Sequence, residues 1–261
     1  MDFLERIVAR ILNLEFRDPF PAISKRPPGY RLEMIMWDRL NFTAMLAGVA
    51  ATSGVAIIVS SVASAQLGLL MNFCFLAAAA TVFVILRTSR PIIAGLRGER
   101  YVGHVLNELE KSGARILHDV PGENSNVDHI VICGAGVFAV ETKYVGKPKE
   151  GKNQLTYDGE NVRIGSTVLK NDGIRQALGC AYSVAKTLKD LGETQFVRGV
   201  VIFPGYYVKG EPKAESGVWA SNENYFVKHI GDDRRRILSA ADVERIYAKL
   251  CARLEQPKTL S

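Results

Sequence analysis

Asn126-Val127-Asp128-His129-Ile130-Val131-Ile132-Cys133-Gly134-Ala135-Gly136-Val137-Phe138-Ala139-Val140-Glu141-Thr142-Lys143 sets three charged side chains, Asp128, Glu141 and Lys143, into two apolar runs joined by a glycine-rich turn. Short apolar runs broken in this way predict a buried β-hairpin. Charges in such a hairpin are costly to desolvate, and a shared ligand is the most economical reason to keep them there. A divalent metal is the natural ligand.

A two-residue loop at Gly134-Ala135 predicts a type II′ turn, with glycine at the first central position where φ is positive. Such a turn pairs Cys133 with Gly136, so Asp128 falls opposite Glu141. Lys143 then emerges on the face of Glu141, because strand side chains alternate. Directly opposed residues have Cβ atoms roughly 4.5 to 5.5 Å apart, close enough for two carboxylates to repel unless a cation sits between them. Mg²⁺ suits a site this sparse, since it keeps several waters and takes one or two carboxylates plus phosphate oxygens. A three-residue bulged turn starting at Gly136 would slip the pairing by one residue.

The setting is unusual, because Asn41 to Leu86 contains no Asp, Glu, Lys, Arg or His. A helix of that length would run about 69 Å, whereas a hydrocarbon core is about 30 Å thick. The stretch therefore predicts a transmembrane helical hairpin, with spans near 40–62 and 67–86 and a tight turn around Ser64-Ala65-Gln66, inside a segment 31–90. Lys25, Arg26, Arg31 and Arg39 precede it, and Arg87, Arg90, Arg97 and Arg100 follow. The positive-inside rule keeps both flanks, both termini and the large C-terminal domain on the cytoplasmic side of the inner membrane. The alternative is a buried helical hairpin of a soluble protein, disfavoured by the missing polar face.

Residues 1–30 form their own segment. Phe3, Leu4, Ile7, Val8, Ile11 and Leu12 recur at helical spacing, predicting an amphipathic helix ended by Pro19 and Pro21 and followed by a proline-rich linker. That helix could lie in the membrane interface, dock on the globular domain, or pair with a second copy. Residues 1–90 are thus the candidate surface for a homo-oligomer or a membrane-complex partner.

Beyond the hairpin, 91–261 reads as a cytoplasmic α/β domain. A helix from about Pro91 to Ser112, close to or continuous with the second span, contains Glu99. Strands follow at Arg115 to Val120, Val127 to Cys133 and Val137 to Lys143, then a hairpin around Asp158-Gly159. A helix from Gly173 to Gly192 takes Asn171 or Asp172 as N-cap. Phe196 to Phe203 is a strand, Val218 to Ala220 and Phe226 to Ile230 read as short strands, and Ala240 to Leu254 as a final amphipathic helix. The order gives a sheet with helices on both sides.

Gly98-Glu99, Asn126 to Ile132 and Gly136 to Lys143 resemble the nuclease-related domain family, NERD, a branch of the PD-(D/E)xK restriction-endonuclease-like superfamily, over roughly residues 95 to 205. The resemblance implies a restriction-endonuclease-like mixed sheet flanked by helices and a metal-dependent phosphodiesterase. It implies Asp128, Glu141 and Glu99 as ligands of Mg²⁺ or Mn²⁺, and Lys143 beside the attacking water. It also implies Gln176 as the family's helix glutamine, although Asp172 stands where members often carry proline. The membrane hairpin lies outside the resemblance.

The chemistry agrees with that assignment. Phosphodiester cleavage requires a nucleophile scarce at neutral pH and neutralisation of a highly charged transition state, and a metal ion serves both needs. Beside two carboxylates, Lys143 reads as a positioning group and not a general base. The alternative for Glu141 and Lys143 is a buried ion pair. His129 faces away from Asp128 and reads as a packed or hydrogen-bonded histidine. His104, His118 and His229 have no metal spacing, and Cys74, Cys133, Cys180 and Cys251 contain no Cys-x-x-Cys.

The net charge of +6 suits a polyanion. Lys147, Lys149 and Lys152, and the cluster Arg234, Arg235 and Arg236, are candidates for nucleic-acid backbone contacts insensitive to sequence. The arginines equally suit anionic lipid, and Tyr144 and Tyr157 are candidates for base stacking. The sequence thus predicts a membrane-anchored, Mg²⁺-dependent nuclease acting on DNA. The rival is a nuclease fold retained as a non-catalytic nucleic-acid- or protein-binding platform of a membrane assembly.

Overall fold

A computed structural model describes residues 22–60, 65–122, 126–146, 153–210, 217–232 and 237–255, which fall into two units. One lies within Arg31–Ala94, and the other comprises Gly95–Ser261 together with residues 22–30. The predicted helix at residues 1–20 lies outside the described residues.

In the first unit, α1 (Tyr30–Ser60) is followed by α2 (Ala65–Asn107), a single helix that runs on through Pro91 into a 3₁₀ turn at Glu108–Ser112. Pro91 costs one main-chain bond without ending the helix, so the expected second span and the expected Pro91–Ser112 helix are one element. Arg39 donates to the hydroxyls of Thr88 (3.1 Å) and Ser89 (3.3 Å), bringing the chain back to the level of residue 39 fifty residues later. Among the described residues one stretch, Leu69–Ser112, is long and apolar enough to cross a membrane. Between residues 69 and 86 its apolar side chains are largely exposed, Leu69, Phe73 and Phe83 among them.

The second unit is built on a mixed sheet in the order β1-β2-β3-β7-β9. β1 (Arg115–Val120), β2 (Val127–Cys133) and β3 (Gly136–Thr142) form an antiparallel meander. β7 (Val197–Ile202) is parallel to β3, and β9 (Val218–Ser221) is parallel to β7. A second sheet in the order β6-β5-β4-β8 contains β4 (Gln154–Tyr157) and β5 (Val162–Ile164), the expected hairpin around Asp158-Gly159, with Thr156 opposite Arg163. The two-residue strand β6 (Thr167–Val168) and β8 (Tyr207–Lys209) complete it. Both are too short to carry a periodic signal in the sequence.

Helices cover both faces of the main sheet. α3 (Ile174–Asp190) buries Cys180, Ala181, Val184 and Leu188 against Ile130, Ile132, Val137 and Ala139, the core face that also receives Val243, Ile246 and Leu250 of α5 (Ala240–Glu255). On the other face, Val102 and Leu106 of α2 meet Val131, Phe138, Val140 and Val200. Phe226 and Ile230, read from sequence as a strand, belong instead to α4 (Glu223–Asp232). Their four-residue spacing puts both side chains of a helical stripe onto that second core, and Asn222 caps the helix by accepting from the Tyr225 N–H at 2.8 Å.

Residues 22–29, read as linker, are packed into this unit. Ile23 is buried beside Leu117, Val120 and Val127, and Arg26 donates to the carbonyl of Asp119 at 3.0 Å.

Candidate functional site

The hairpin register is the expected one. Cys133 pairs with Gly136 and His129 with Val140, which puts Asp128 and Glu141 at the next level of the ladder. The turn type differs, because positive φ falls on Gly136 (130°) and not on Gly134. The Gly134 carbonyl accepts from the N–H groups of Ile237 (2.8 Å) and Leu238 (3.0 Å), and these two bonds orient the turn peptide away from II′ geometry.

Alternation then places the chemistry. Ile130 and Ile132 of β2, with Val137 and Ala139 of β3, face α3, so Asp128 and Glu141 face it too. Lys143, whose N–H donates to Ile202 O of β7 at 2.9 Å, continues that side of β3. Glu141 and Lys143 lie beneath the N-terminus of α3, with Asp128 beside Glu141. A Cβ placed on Gly173, which precedes that helix with φ of 82°, would lie 3.5 Å from Lys143 Cδ and 3.6 Å from Glu141 Cγ. The N-cap is Gly173 and not Asn171 or Asp172 as expected; Asp172, one residue earlier, accepts from Ile174 N–H at 3.1 Å in a local turn.

The Asp128 carboxylate is held by the Thr142 N–H at 2.8 Å. Glu141 is only 5% exposed, and its buried Oε2 has no hydrogen-bond partner. Burial first, and then the negative charge of Asp128, push the Glu141 pKa well above the carboxylate range, while Lys143 pulls the other way. A simple buried ion pair would satisfy its oxygens. The orphaned Oε2 beside a second carboxylate fits a cation-binding site instead.

The remaining candidates are less gathered. Among the described residues, no group of three or more His, Cys, Asp or Glu is disposed to hold a metal. Glu99 lies on α2, its Oε2 3.6 Å from where a Cβ on Gly29 would be. Gln176 is exposed on α3, three residues past Gly173. Lys147, Lys149, Lys152, Arg234, Arg235 and Arg236 lie outside the described residues. Tyr144 is exposed, whereas Tyr157 is buried, its hydroxyl donating to Gly159 O at 3.0 Å, and offers no stacking face.

One feature of the site is absent from the sequence motifs. His118 and His129 stand opposite each other on β1 and β2, their Nδ1 atoms 2.8 Å apart. His118 Nε2 lies 2.9 Å from Asn107 Oδ1 and His129 Nε2 lies 3.3 Å from Thr142 Oγ1. One assignment of protons satisfies the whole chain: His118 Nε2–H donates to Asn107, His129 Nδ1–H donates to His118, and the Thr142 hydroxyl donates to His129. Both rings are neutral in that arrangement. Burial, then the charge of His104, push the His118 pKa down to about 4. Burial and then His118 lower that of His129. The chain anchors Thr142, whose own N–H holds Asp128. The β1–β2 register was the signal that could have revealed it.

Residues 94–204 match the model of the nuclease-related domain. An uncharacterized protein of Bacillus anthracis is 41% identical over 54 residues, covering 19% of this chain and 26% of the relative, so the chain spans about a quarter of that protein's length. The structure of Pyrococcus furiosus SfsA in complex with Ca²⁺ is similar at 22% identity over 48% of this chain and 55% of that one, with a TM-score of 0.27, a likeness too distant to inform the fold.

Proposed function

We propose that the chain is a membrane-anchored, metal-dependent nuclease that hydrolyses phosphodiester bonds of DNA at the cytoplasmic face of the membrane. The observation that carries this reading is the buried, partnerless Oε2 of Glu141 on the same face as Asp128 and Lys143, within a nuclease-related domain. Asp128 and Glu141 would hold Mg²⁺ or Mn²⁺, with Glu99 as a further ligand if its helix carries it there. The ion would supply Lewis acidity toward a phosphate oxygen and a more acidic water.

The chain's own residues would do the rest. Thr142 N–H fixes the Asp128 carboxylate against rotation. Lys143 would orient the attacking water and offset charge developing on the phosphate. Gln176, exposed at the start of α3, would contact the substrate backbone, and the lysines at 147, 149 and 152 with the arginines at 234 to 236 would extend that contact.

The membrane reading rests on three observations. Asn41 to Leu86 lacks charge, α2 exposes most of its apolar side chains between residues 69 and 86, and the Arg39 bonds to Thr88 and Ser89 fold α1 back on α2 as a hairpin does. Positive flanks on both sides would keep the termini in the cytoplasm.

Digestion of plasmid and linear DNA by the purified full chain should require Mg²⁺ or Mn²⁺. Asp128→Ala and Glu141→Ala proteins that remain folded should lose it by at least about a hundredfold. Undiminished hydrolysis in both variants would sink the site. The second reading, a platform that binds without cleaving, is favoured by the want of a third gathered ligand among the described residues. It predicts metal-independent DNA binding with no hydrolysis in any variant.

A further inference from the structure

A groove of about 690 Å³ opens along β9, the edge strand of the main sheet, at a distance from the carboxylates. Trp219, Tyr225 and His229 line one wall, and Phe196 and Tyr207 stand elsewhere on its lining. Phe196 is 70% and Tyr207 62% exposed, an unusual position for two aromatic rings of a folded domain. Among the described residues of the lining, Arg198 and Lys209 are the charged ones and none is Asp or Glu.

The aromatic wall is built of rings packed on one another. Tyr225 and His229, one turn apart on α4, stack with ring centroids 3.7 Å apart. Trp219 of β9 abuts both, at 6.4 and 6.2 Å, and is backed from the core by Phe226 at 5.2 Å. Flat π faces at several points of one concavity, with cations and no acid, match a polyanion whose units are flat rings. A duplex hides its base faces within the stack. A single strand presents them.

We propose that this groove binds single-stranded nucleic acid, its bases stacking on Phe196, Tyr207 and the Trp219 wall and its phosphates paired with Arg198 and Lys209. The inference deepens the nuclease reading by naming the form of substrate, and rests on that reading for the strand's route to Lys143. Phe138, which lines the groove, lies three residues from Glu141 on β3, about 10 Å along the strand but on the opposite face of the sheet, so a strand bound in the groove would reach the carboxylates around the end of β3. Tyr206, next to Tyr207, donates its hydroxyl to Gly146 O at 2.7 Å, in the segment leaving Lys143. The groove and the carboxylates are thus served by the same two stretches of chain.

The test uses the full chain in detergent micelles, in an Asp128→Ala background with EDTA to prevent cleavage, and reads anisotropy of fluorescein-labelled dT15 and of a 15-base-pair duplex. Phe196→Ala and Tyr207→Ala remove exposed rings, so folding is not at stake. Each should weaken dT15 binding by about fivefold or more. Arg198→Ser with Lys209→Ser should weaken it further and flatten its salt dependence. Tyr182→Ala, an exposed ring on α3 outside the groove, should change nothing. Unaltered dT15 affinity in the groove variants, as when the surface serves a protein partner, overturns the proposal. So does tighter binding of duplex than of dT15. Groove-dependent dT15 binding by a chain that never cleaves supports the groove and removes the nuclease reading. Metal-dependent cleavage with groove-independent binding does the reverse.

Discussion

Glu141 is placed where it harms the metal-free protein, and that gives the site a signature independent of turnover. Its pKa is raised in the native state, so the folded chain keeps a proton that the unfolded chain releases above the ordinary value of 4.5. Native stability therefore falls as pH rises from that value, while metal is absent. Glu141→Gln removes the charge and keeps the shape. In EDTA it should stabilise the protein at pH 8 by about 1–3 kcal/mol, the cost of an unsatisfied buried polar group. Near pH 4 the gain should vanish. Thermal melts of both proteins at the two pH values decide it, and a variant no more stable than wild type at pH 8 would mean the carboxylate is already satisfied. The His118–His129 pair acts in the opposite direction. Depressed pKa values mean that the unfolded chain binds protons first, so stability contributed by the neutral pair is present above the unfolded value of 6.5 and lost as pH falls from there toward about 4. Histidine C2 proton resonances of the two should show no titration between pH 8 and pH 5; a midpoint near 6.5 would refute the buried, neutral assignment.

At the scale of elements, α3 is positioned from both ends. Gly173 adopts φ of 82° at its start, where a Cβ would crowd Val201 Cγ1 at 3.3 Å and make ordinary contact with Lys143 and Glu141 at 3.5 and 3.6 Å. Gly173→Ala should cost about 1 kcal/mol in stability from the left-handed backbone alone, and lower hydrolysis disproportionately because relief of that strain shifts the start of α3 over the two side chains; equal activity per folded molecule would separate α3 from the site. At the other end the Glu193 carboxylate accepts from Arg245 Nε (3.0 Å) and Lys249 Nζ (2.8 Å) of α5, and Lys249 also reaches Leu191 O (3.0 Å). These bonds, Arg245 first, hold the Glu193 pKa down to about 2. Stability from this clamp is present above the ordinary value of 4.5 and lost as pH falls toward 2. Glu193→Gln should cost on the order of 1 kcal/mol at pH 7, since both cations are half exposed, and nothing near pH 2. The sequence reveals such elements where a period repeats. The β1 to β3 meander, α3, β7 and α5 were legible from apolar spacing, and the register placing Asp128 beside Glu141 followed from the two-residue turn. Phe226 and Ile230 misled because five residues rich in Phe, Val and Ile carry β propensity, while the helical stripe shows only against the core they share with Phe138. The groove was illegible, since Phe196, Tyr207, Trp219 and Tyr225 come from separate elements and no spacing links them.

At the scale of the whole molecule, the division between the two units does not follow chain order. Residues 22–30 precede the apolar stretch, yet they belong with Gly95–Ser261. Ile23 is 4% exposed within the core formed by Leu117, Val120 and Val127. Pro28 sits so close to Gly103 that a Cβ there would lie 2.2 Å from the proline's own Cβ, so this crossing needs glycine. A protein reduced to residues 91–261 therefore leaves an apolar hollow where Ile23 was and strips Arg26 from the Asp119 carbonyl. It should fold, but with stability lower by about 2–4 kcal/mol, the loss of one large buried aliphatic side chain plus one charged hydrogen bond. Replacing residues 31–90 with a flexible linker, so that 20–30 stays tethered to 91–261, should restore that stability while removing the most apolar surface of the chain. The urea midpoints of the two proteins measure the difference. If the tethered protein unfolds at the same urea concentration as bare 91–261, the segment before the first helix only rests on the domain and plays no part in its core.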